Sequence, residues 1–263
     1  MSADTVSQLL QSHRSIRQYH DRPLDDALVD EVLVEALAGS SSSGNLNMVS
    51  VVKTRDKERK ARLFELHFEQ PMVLQAPLVL TFCADTFRTR RWLTQRGARL
   101  NFGNLVSYHV AAFDAIILAQ TTALALESRG LGICYMGTTL HRMAEIAEFL
   151  ELPDHCLPVT SMVVGWPAEA PAQRDRLPSG AWIHDERYRR PSTDDIDRLF
   201  AEREIAGWNR YRAMGGERVR LMEELGITSL AQFYTSDMKY APEPFERDSE
   251  KLRALLAAKG FLP

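Results

Sequence analysis

The longest apolar stretch of the chain, residues 109–127, restricts the possible folds more than any other feature of the sequence. A helix of this length and hydrophobicity either crosses a membrane or lies in a protein core. Four polar residues interrupt the stretch: Asp114, Gln120, Thr121 and Thr122. They favour the core. We therefore expect a buried helix over residues 111–128 that ends at Arg129-Gly130, where glycine is a favourable C-cap.

Shorter apolar runs on both sides of this helix predict a sheet and further helices. Strands are expected over residues 49–53, 78–83 and 158–165. Helices are expected where apolar residues recur at helical spacing, over residues 2–11, 25–37, 57–66 and 140–150. This mixture predicts an α+β or α/β arrangement.

The composition of the chain changes near Tyr188. The sequence beyond it is charged and predicts helices over residues 193–212, 217–225 and 247–259, with a loop over 234–244. We expect a first domain over residues 1–190 and a helical C-terminal extension over residues 191–263 that packs on the same domain. The extension suits a lid or an arm that reaches a partner subunit.

The overall composition is that of an ordinary globular protein. Of 263 residues, 45% are hydrophobic and 25% are charged, and the net charge of -3 gives no attraction to nucleic acid or to an anionic membrane. The arginine-rich stretch 88–99 matches no recognised motif and is interpreted as a solvated face. Residues 1–5 lack the pattern of a secretory signal, so we expect a cytoplasmic protein.

Metal-dependent and hydrolytic chemistry lack their usual signatures. Cys83, Cys134 and Cys156 match no zinc or redox spacing, and Cys83 lies in an apolar run that predicts a buried thiol. Seven histidines form no HExxH or other ligand pair, and GxSxG is absent. We expect no bound metal, so any chemistry comes from a bound cofactor.

A cluster near the N-terminus is typical of a phosphate site. His13, Arg14, Ser15 and Arg17 follow the first predicted helix. Guanidinium groups form bidentate, charge-assisted hydrogen bonds to phosphoryl oxygens. A surface arginine pair that caps a helix explains the same residues equally well.

Three further segments suit a planar or phosphorylated ligand. Residues 40–47, Ser-Ser-Ser-Ser-Gly-Asn-Leu-Asn, offer hydroxyl groups and flexible backbone to a ribityl chain, although a flexible linker fits as well. Residues 130–137 place glycines where backbone approaches something closely, without the GxGxxG turn of a Rossmann cradle. Arg174 and Arg176 either close on the same anion as Arg14 or form a solvated loop.

Taken in chain order, these motifs resemble the nitroreductase family, in particular its oxygen-insensitive, NADPH-preferring A-type group. The order is His-Arg-Ser-Ile-Arg at 13–17, the serine loop with Leu46, Gln70, Phe-Cys-Ala-Asp at 82–85, Glu-Ser-x-Gly-Leu-Gly at 127–132, Tyr-x-Gly at 135–137, Gly-Trp-Pro-Ala at 165–168 and Arg-x-Arg-Leu-Pro at 174–178. The match runs from about residue 10 to 188 with few gaps, and joint coincidence of so many motifs is improbable.

The resemblance implies a nitroreductase-like α+β fold: a central, mainly antiparallel sheet flanked by helices, in a homodimer with two FMN sites at the subunit interface. Family residues that bind the phosphate and the pyrimidine edge match His13, Arg14, Ser15 and Arg17. Residues that line the ribityl chain and the ring match Ser42, Ser43, Leu46 and Gln70. Residues against the isoalloxazine match Tyr135, Met136 and Gly137, and a basic pair that returns to the phosphate matches Arg174 and Arg176.

Departures from the family pattern concern the substrate more than the flavin. Arg174 replaces the usual lysine, so a bidentate fork replaces a point charge. Asn47 replaces a glutamine, and Gly44 stands where serine is frequent. Gly44, Asn45 and Lys239 are the candidate substrate contacts.

The implied activity is electron transfer from NADPH or NADH, through FMN, to nitroaromatics, quinones or similar small electron-poor acceptors by a ping-pong mechanism. The flavin carries the chemistry, so no side chain is assigned as catalytic. A free-flavin reductase is an alternative that changes the acceptor. A flavin-binding protein without physiological turnover is a second alternative. A helical interaction protein ranks last because it leaves the N-terminal motifs unexplained.

Overall fold

The computed structural model describes residues 6–263. The predicted helix over residues 2–11 corresponds to α1, Val6–Ser12, and the part of that prediction before residue 6 lies outside the described residues.

The remaining helices are α2 Asp26–Ala38, α3 Lys57–Leu66, α4 Met72–Gln75, α5 Phe87–Gln95, α6 Leu105–Ser128, α7 Met143–Phe149, α8 Thr193–Ala213, α9 Gly216–Glu224, α10 Leu230–Tyr234 and α11 Pro242–Ala258. The strands are β1 Val49–Thr54, β2 Leu78–Asp85, β3 Gly132–Met136 and β4 Cys156–Gly165. Short 3-10 turns lie at Ser43–Asn45, Gly137–Arg142 and Ser179–Ala181.

The four strands form one antiparallel sheet in the order β1-β2-β4-β3. β2 and β4 are central, and every residue of β2 is buried. Gly132 of β3 pairs with Gly165 of β4 at one edge. The predicted α+β fold with an antiparallel sheet is confirmed. β3 was not expected as a strand, because its glycines were interpreted as a close-approach loop.

Helices cover both faces of this sheet. On one face α6 packs against β2, with α2 beside it, and Leu78, Leu80 and Phe82 of β2 point into this layer. On the other face Val79 meets a cluster drawn from α3, α4 and α7, which includes Leu63 and Ile146. Successive residues of a strand point to opposite faces, so one apolar strand supplies both layers of the core.

α6 is the buried helix that the sequence predicts, and it begins six residues earlier than expected, at Leu105. Asn104 caps it, since its side-chain oxygen accepts a hydrogen bond from the backbone N–H of Ser107. By length and hydropathy alone α6 would also suit a membrane span. Its packing on β2 and α2 places one side of it in the protein core instead.

An extended segment, residues 13–20, runs along the β3 edge of the sheet and is called the N-terminal strap. The Ile16 N–H donates to the Ile133 carbonyl (2.8 Å), and the His20 N–H donates to the Trp166 carbonyl (2.9 Å). The Ile16 side chain lies directly on Gly132, where any Cβ would meet it. Gly132, the glycine that weakened the strand prediction, therefore leaves room for the Ile16 side chain of the strap.

The described chain forms two compact units. The first runs to Gln173 and includes Glu250–Pro263, and the second is Arg174–Ser249. The chain returns to the first unit because Leu256 and Phe261 pack with Met143 and Leu157. The second unit has its own apolar cluster around Phe233. The domain boundary at residue 190 stays a prediction.

We expect Gly132→Ala to destabilise the protein by about 1–3 kcal/mol, because its added methyl overpacks the core. The new Cβ would lie 2.7 Å from Cγ1 of Ile16. The measurement is the free energy of unfolding in urea. Gly180→Ala is the matched control, since a Cβ there meets nothing within 4 Å. Equal stability of the two variants would contradict the tight contact between strap and strand.

Candidate functional site

The N-terminal strap and the start of β3 together line a cleft of about 340 Å³, called the strap cleft. Ser12, His13 and Arg14 form one wall, and the segments 130–132 and 167–170 contribute to the other. Ser15 and Arg17 lie beside Cys134 of β3; burial raises the pKa of this thiol, and both neighbours oppose the rise. The structure thus brings together the His-Arg-Ser-Ile-Arg motif and the glycine-rich segment.

The two arginines of the strap form no ion pair with a carboxylate in the described part of the chain. Arg14 donates from Nε to the Ser12 carbonyl (3.2 Å) and from Nη1 to the Pro171 carbonyl (3.3 Å). Arg17 reaches only the Ser15 carbonyl, at 3.5 Å. Within residues 6–263, neither guanidinium has a carboxylate oxygen within 4 Å. Such a pair attracts an anion to the cleft.

Two carboxylates line the strap cleft and hold the strap in place. Glu127 of α6 bonds through Oε1 to Nδ1 of His13 (2.7 Å), while its Oε2 is buried without a hydrogen-bond partner. Glu169 accepts hydrogen bonds from the backbone N–H groups of Arg17 (2.5 Å) and Gln18 (3.1 Å). These acids position the strap backbone and leave both guanidinium groups available.

The serine loop is anchored on a buried carboxylate of α6. Asp114 accepts from the Ser42 hydroxyl (2.7 Å), the Met48 N–H (3.0 Å) and the Ser43 N–H (3.3 Å). The Ser42 hydroxyl also accepts from the Asn47 N–H at 2.8 Å. A buried carboxylate needs such donors. Asp114 therefore fixes the path of the loop that carries Ser42 and Ser43.

The same loop contains three left-handed residues, and the sequence explains them. Gly44, Asn45 and Asn47 have φ angles of 60°, 54° and 50°. Glycine adopts this region without steric cost, and asparagine tolerates it better than most side chains. The Gly-Asn-Leu-Asn pattern is thus suited to a tight, ordered turn, and the flexible-linker interpretation is disfavoured.

The strap and the serine loop attach to α6 at well separated points. Asp114 and Glu127 are 13 residues apart (127 - 114), which is about 20 Å along a helix axis and about 140° around it. Within one chain these two sets of predicted site residues therefore do not converge on the same point.

Gln70 is held by a buried histidine and threonine. Its Nε2 donates to the His67 carbonyl (3.2 Å) and lies 3.5 Å from the Thr138 hydroxyl, which also bonds to Nδ1 of His67 at 2.8 Å. His67 is fully buried, and its Nε2 has no partner. The amide nitrogen is engaged inward, so the amide oxygen of Gln70 remains as an acceptor.

The Tyr135–Gly137 segment lies next to this network at the end of β3. The Tyr135 hydroxyl donates to Oε1 of Gln120 (3.3 Å), and burial raises the pKa of Tyr135. The Met136 carbonyl accepts from the Thr139 hydroxyl at 2.8 Å. A Cβ on Gly137 would meet nothing within 4 Å, so the backbone here faces open space.

The remaining predicted site residues belong to the second unit. Arg176 donates to the carbonyls of Arg174 and Asp175. The ammonium of Lys239 bonds to the Tyr211 hydroxyl and lies 4.0 Å from the centre of the Tyr234 ring, and burial lowers the pKa of Lys239. Phosphate binding by the arginines and substrate binding by Lys239 stay predictions.

Sequence reasoning missed four residues that support the site: His67, Asp114, Glu127 and Glu169. Asp114 gave a signal, since a lone carboxylate in an apolar helix requires buried donors, but its partners were not predictable. Glu127 begins the Glu-Ser-x-Gly-Leu-Gly motif, but its pairing with His13 was not predictable, and His67 and Glu169 gave no signal because their partners are distant in sequence.

We expect the free energy of unfolding to decrease as the pH is lowered, because His67 becomes protonated. Burial lowers the pKa of His67 to about 4 from 6.5 in the unfolded chain. The folded state resists protonation of His67. With respect to this group, the free energy of unfolding is therefore highest above about pH 6.5, and it decreases by roughly 3 kcal/mol as the pH falls towards 4. His67→Gln should flatten the pH dependence of urea unfolding between these limits. The exposed His20→Gln is the control, and an unchanged slope in His67→Gln would refute the assignment.

Comparison with known proteins agrees with this arrangement. The Nitroreductase family profile matches residues 10–166. The chain is 39% identical over 185 residues to an FMN reductase [NAD(P)H] of Bacillus subtilis, covering 70% of this chain and 74% of the relative. It is 33% identical over 181 residues to an oxygen-insensitive NADPH nitroreductase of Salmonella typhimurium, covering 69% and 73%.

The fold comparison covers nearly the whole chain. The crystal structure of nitroreductase A from Vibrio parahaemolyticus superposes with a TM-score of 0.78 at 26% identity, over 97% of both chains. The profile match spans more than half of the chain and contains the strap, the serine loop and all four strands. By sequence and by fold, this chain belongs to the nitroreductase family.

Proposed function

We propose that this protein is an FMN-dependent NAD(P)H oxidoreductase that reduces nitroaromatics, quinones or similar small electron-poor acceptors by a ping-pong mechanism. Its relatives are an FMN reductase that uses NAD(P)H and an NADPH nitroreductase. When bound, FMN supplies the two-electron chemistry that protein side chains lack. The protein binds the cofactor, orients it and shapes the charge around it.

One observation carries the assignment: the two guanidinium groups of the strap form no ion pair in the described part of the chain, and that of Arg14 lines the strap cleft. Arg14 and Arg17 have no carboxylate partner within residues 6–263, while Glu127 and Glu169 are engaged by the strap itself. Arginine is the residue best suited to bidentate phosphate binding. Arg14 fits the phosphate end of FMN, with His13 and Ser15 as further donors.

The ring end of the cofactor fits the region around Gly137. The backbone there faces open space, and Gln70 presents its amide oxygen as an acceptor. His67 and Thr138 hold that amide, so its orientation is set before the cofactor binds. Arg17 would lie near the pyrimidine edge of a bound FMN and would stabilise negative charge on the reduced ring. Protons come from solvent in this scheme.

The cofactor site is shared between two subunits. In one chain the serine loop and the strap are held about 20 Å apart on α6. A two-fold partner places its own serine loop beside the strap, so that Ser42, Ser43 and Leu46 line a cofactor bound by the other chain.

The outer side of α6 supplies the surface for this homodimer. Its exposed residues include Val106 (72% exposed), Phe113 (61%), Ile116 and Ile117. Phe113 follows Val106 by seven residues, and Ile116 and Ile117 follow Phe113 by three and four. At this spacing the side chains form one apolar stripe along the helix. A contiguous apolar surface of this kind marks a protein interface. A second copy of the same helix covers it in a symmetric dimer.

A free-flavin reductase is the second candidate, favoured by the name of the Bacillus subtilis relative. The two differ only in the acceptor that follows NAD(P)H into the site. The three cysteines are free and buried, which supports a reducing, cytoplasmic location.

We expect Arg14→Ala to weaken FMN binding ten- to a hundredfold, which corresponds to about 1.5–3 kcal/mol. The reason is the loss of charge-assisted bonds to the phosphate. The measurement is a fluorescence titration of the apoprotein with FMN, together with the visible spectrum of the purified variant.

Arg253→Ala is the matched control, since Arg253 is exposed on α11 and has no hydrogen-bond or ion-pair partner in the described chain. Full retention of FMN by Arg14→Ala would disprove the strap assignment. Anaerobic titration of the wild-type protein with NADPH and NADH tests the activity itself. Bound flavin that neither donor reduces would favour a flavin-binding protein without turnover.

We expect Phe113→Glu to convert the dimer into monomers and to release FMN, because the variant buries two like charges at the centre of the interface. Sedimentation velocity reports the mass, and the visible spectrum reports the flavin.

Val34→Glu is the control, because Val34 is 70% exposed on α2, away from the stripe. A Phe113→Glu protein that remains a flavin-loaded dimer would exclude α6 as the interface. A Phe113→Glu monomer that keeps FMN would support α6 as the interface but would refute a cofactor site shared between subunits.

A further inference from the structure

A second cleft, of about 430 Å³, lies in the first unit between the end of the strap, the start of α3 and the end of α4. We call it the basic cleft, because its lining includes Arg22, Arg55, Lys57 and Lys60. None of its lining residues lines the strap cleft. The flavin assignment makes no use of it.

Arg22 is fixed in position with its hydrogen-bond donors free. Its guanidinium stacks 3.7 Å above the centre of the Trp166 ring, and the Trp166 indole N–H donates to the Pro23 carbonyl at 3.3 Å. Stacking of this kind orients a guanidinium plane. In the described part of the chain, the Arg22 guanidinium donates to no protein acceptor, whereas the backbone N–H of Arg22 donates to the His20 carbonyl. An arginine in this state is organised for an incoming anion.

Lys60 places a buried charge on the same cleft. It is 7% exposed, and its ammonium donates to the carbonyls of Ala76 (2.6 Å) and Leu74 (3.1 Å). An ammonium has three donors, so one remains. Burial lowers the pKa of Lys60 and the neighbouring Lys57 ammonium lowers it further, while the Asp21 carboxylate opposes the shift. A bound anion would relieve both effects.

The charges around the basic cleft sum to a value that suits a dianion. Arg22, Arg55, Lys57 and Lys60 contribute four positive charges. Asp21 lines the cleft, and Asp26 pairs with Nη2 of Arg55 at 2.5 Å, so two negative charges oppose them. These side chains leave an excess of two positive charges, and a further carboxylate, that of Asp56, lies next to Lys57 at the start of α3. Asp56 caps α3 through the Arg59 N–H and is not a lining residue.

A phosphomonoester matches this balance. Its second pKa lies near 6, so it carries close to two negative charges at neutral pH, with three strong acceptor oxygens. The N-terminus of α3, at Lys57, adds favourable dipole potential. The cleft volume lies within the usual range for small-molecule sites, so an organic group has room beyond the phosphate.

We propose that the basic cleft is a second anion site, separate from the flavin site, which binds a small soluble phosphomonoester through Arg22, Lys57 and Lys60. Arg22 provides the oriented bidentate donor, and Lys60 provides the buried donor at the base of the cleft. Lys57 provides a further, exposed ammonium on the cleft.

The test is isothermal titration calorimetry on the FMN-saturated protein, in which the flavin phosphate site is already filled. The probes are inorganic phosphate and glycerol 2-phosphate, with chloride at matched ionic strength and succinate as a dicarboxylate. We expect saturable binding of both phosphates, with tighter binding of the ester, and no saturable binding of chloride.

The double variant Arg22→Gln/Lys57→Gln should weaken phosphate binding at least tenfold. Both side chains lack protein acceptors within residues 6–263, so the fold is kept. Arg218→Gln/Arg253→Gln removes the same net charge from exposed positions elsewhere and should bind phosphate normally.

The absence of saturable phosphate binding to the wild-type protein would overturn the proposal, and so would its persistence in the Arg22/Lys57 double variant. Succinate binding as tight as that of phosphate would also overturn it. So would the release of FMN during the titration, seen in the visible spectrum, because it would place the added phosphate in the strap cleft.

Discussion

The structure depends on the burial of two carboxylates by one helix. α6 carries Asp114 into the protein against the serine loop and Glu127 against the strap. A buried carboxylate without donors costs several kcal/mol, so packing α6 on the sheet requires three donors from residues 42–48 to converge on Asp114. Loop conformation is therefore coupled to the packing of the core. The same helix that organises the fold also sets the positions of both candidate binding segments.

This coupling supports the proposed sharing of the cofactor site between two subunits. The two anchors lie about 20 Å apart on a rigid helix, and no loop movement brings the segments together without breaking the Asp114 or Glu127 contacts. The outer side of α6 meanwhile exposes apolar residues such as Phe113. The proposed dimer, formed through this side of α6, would cover the stripe and would supply the missing loop from the partner.

Local pattern predicted much of the fold and failed at identifiable places. β1, β2 and β4 were predicted within about two residues, because apolar runs of this length suit buried strands. β3 was missed because its glycine weakens the strand pattern, and only the Ile16 side chain that lies on Gly132 explains that glycine. α5 was not predicted, because the arginine-rich stretch 88–99 was interpreted only as a solvated face. Residues 137–142 form a 3-10 turn before α7 instead of the start of a helix at 140.

By itself, the sequence determined the family, the α+β class, the central helix and the set of residues around the strap and the serine loop. Apolar periodicity indicates which side of each helix or strand is buried. The order of the motifs can be read from the sequence without knowledge of the fold. Only the tertiary structure decided which distant groups meet: Asp114 with the serine loop, His67 with Thr138, and Arg22 with Trp166 beside Lys60. Such pairs depend on sheet register and helix packing, which no local pattern encodes.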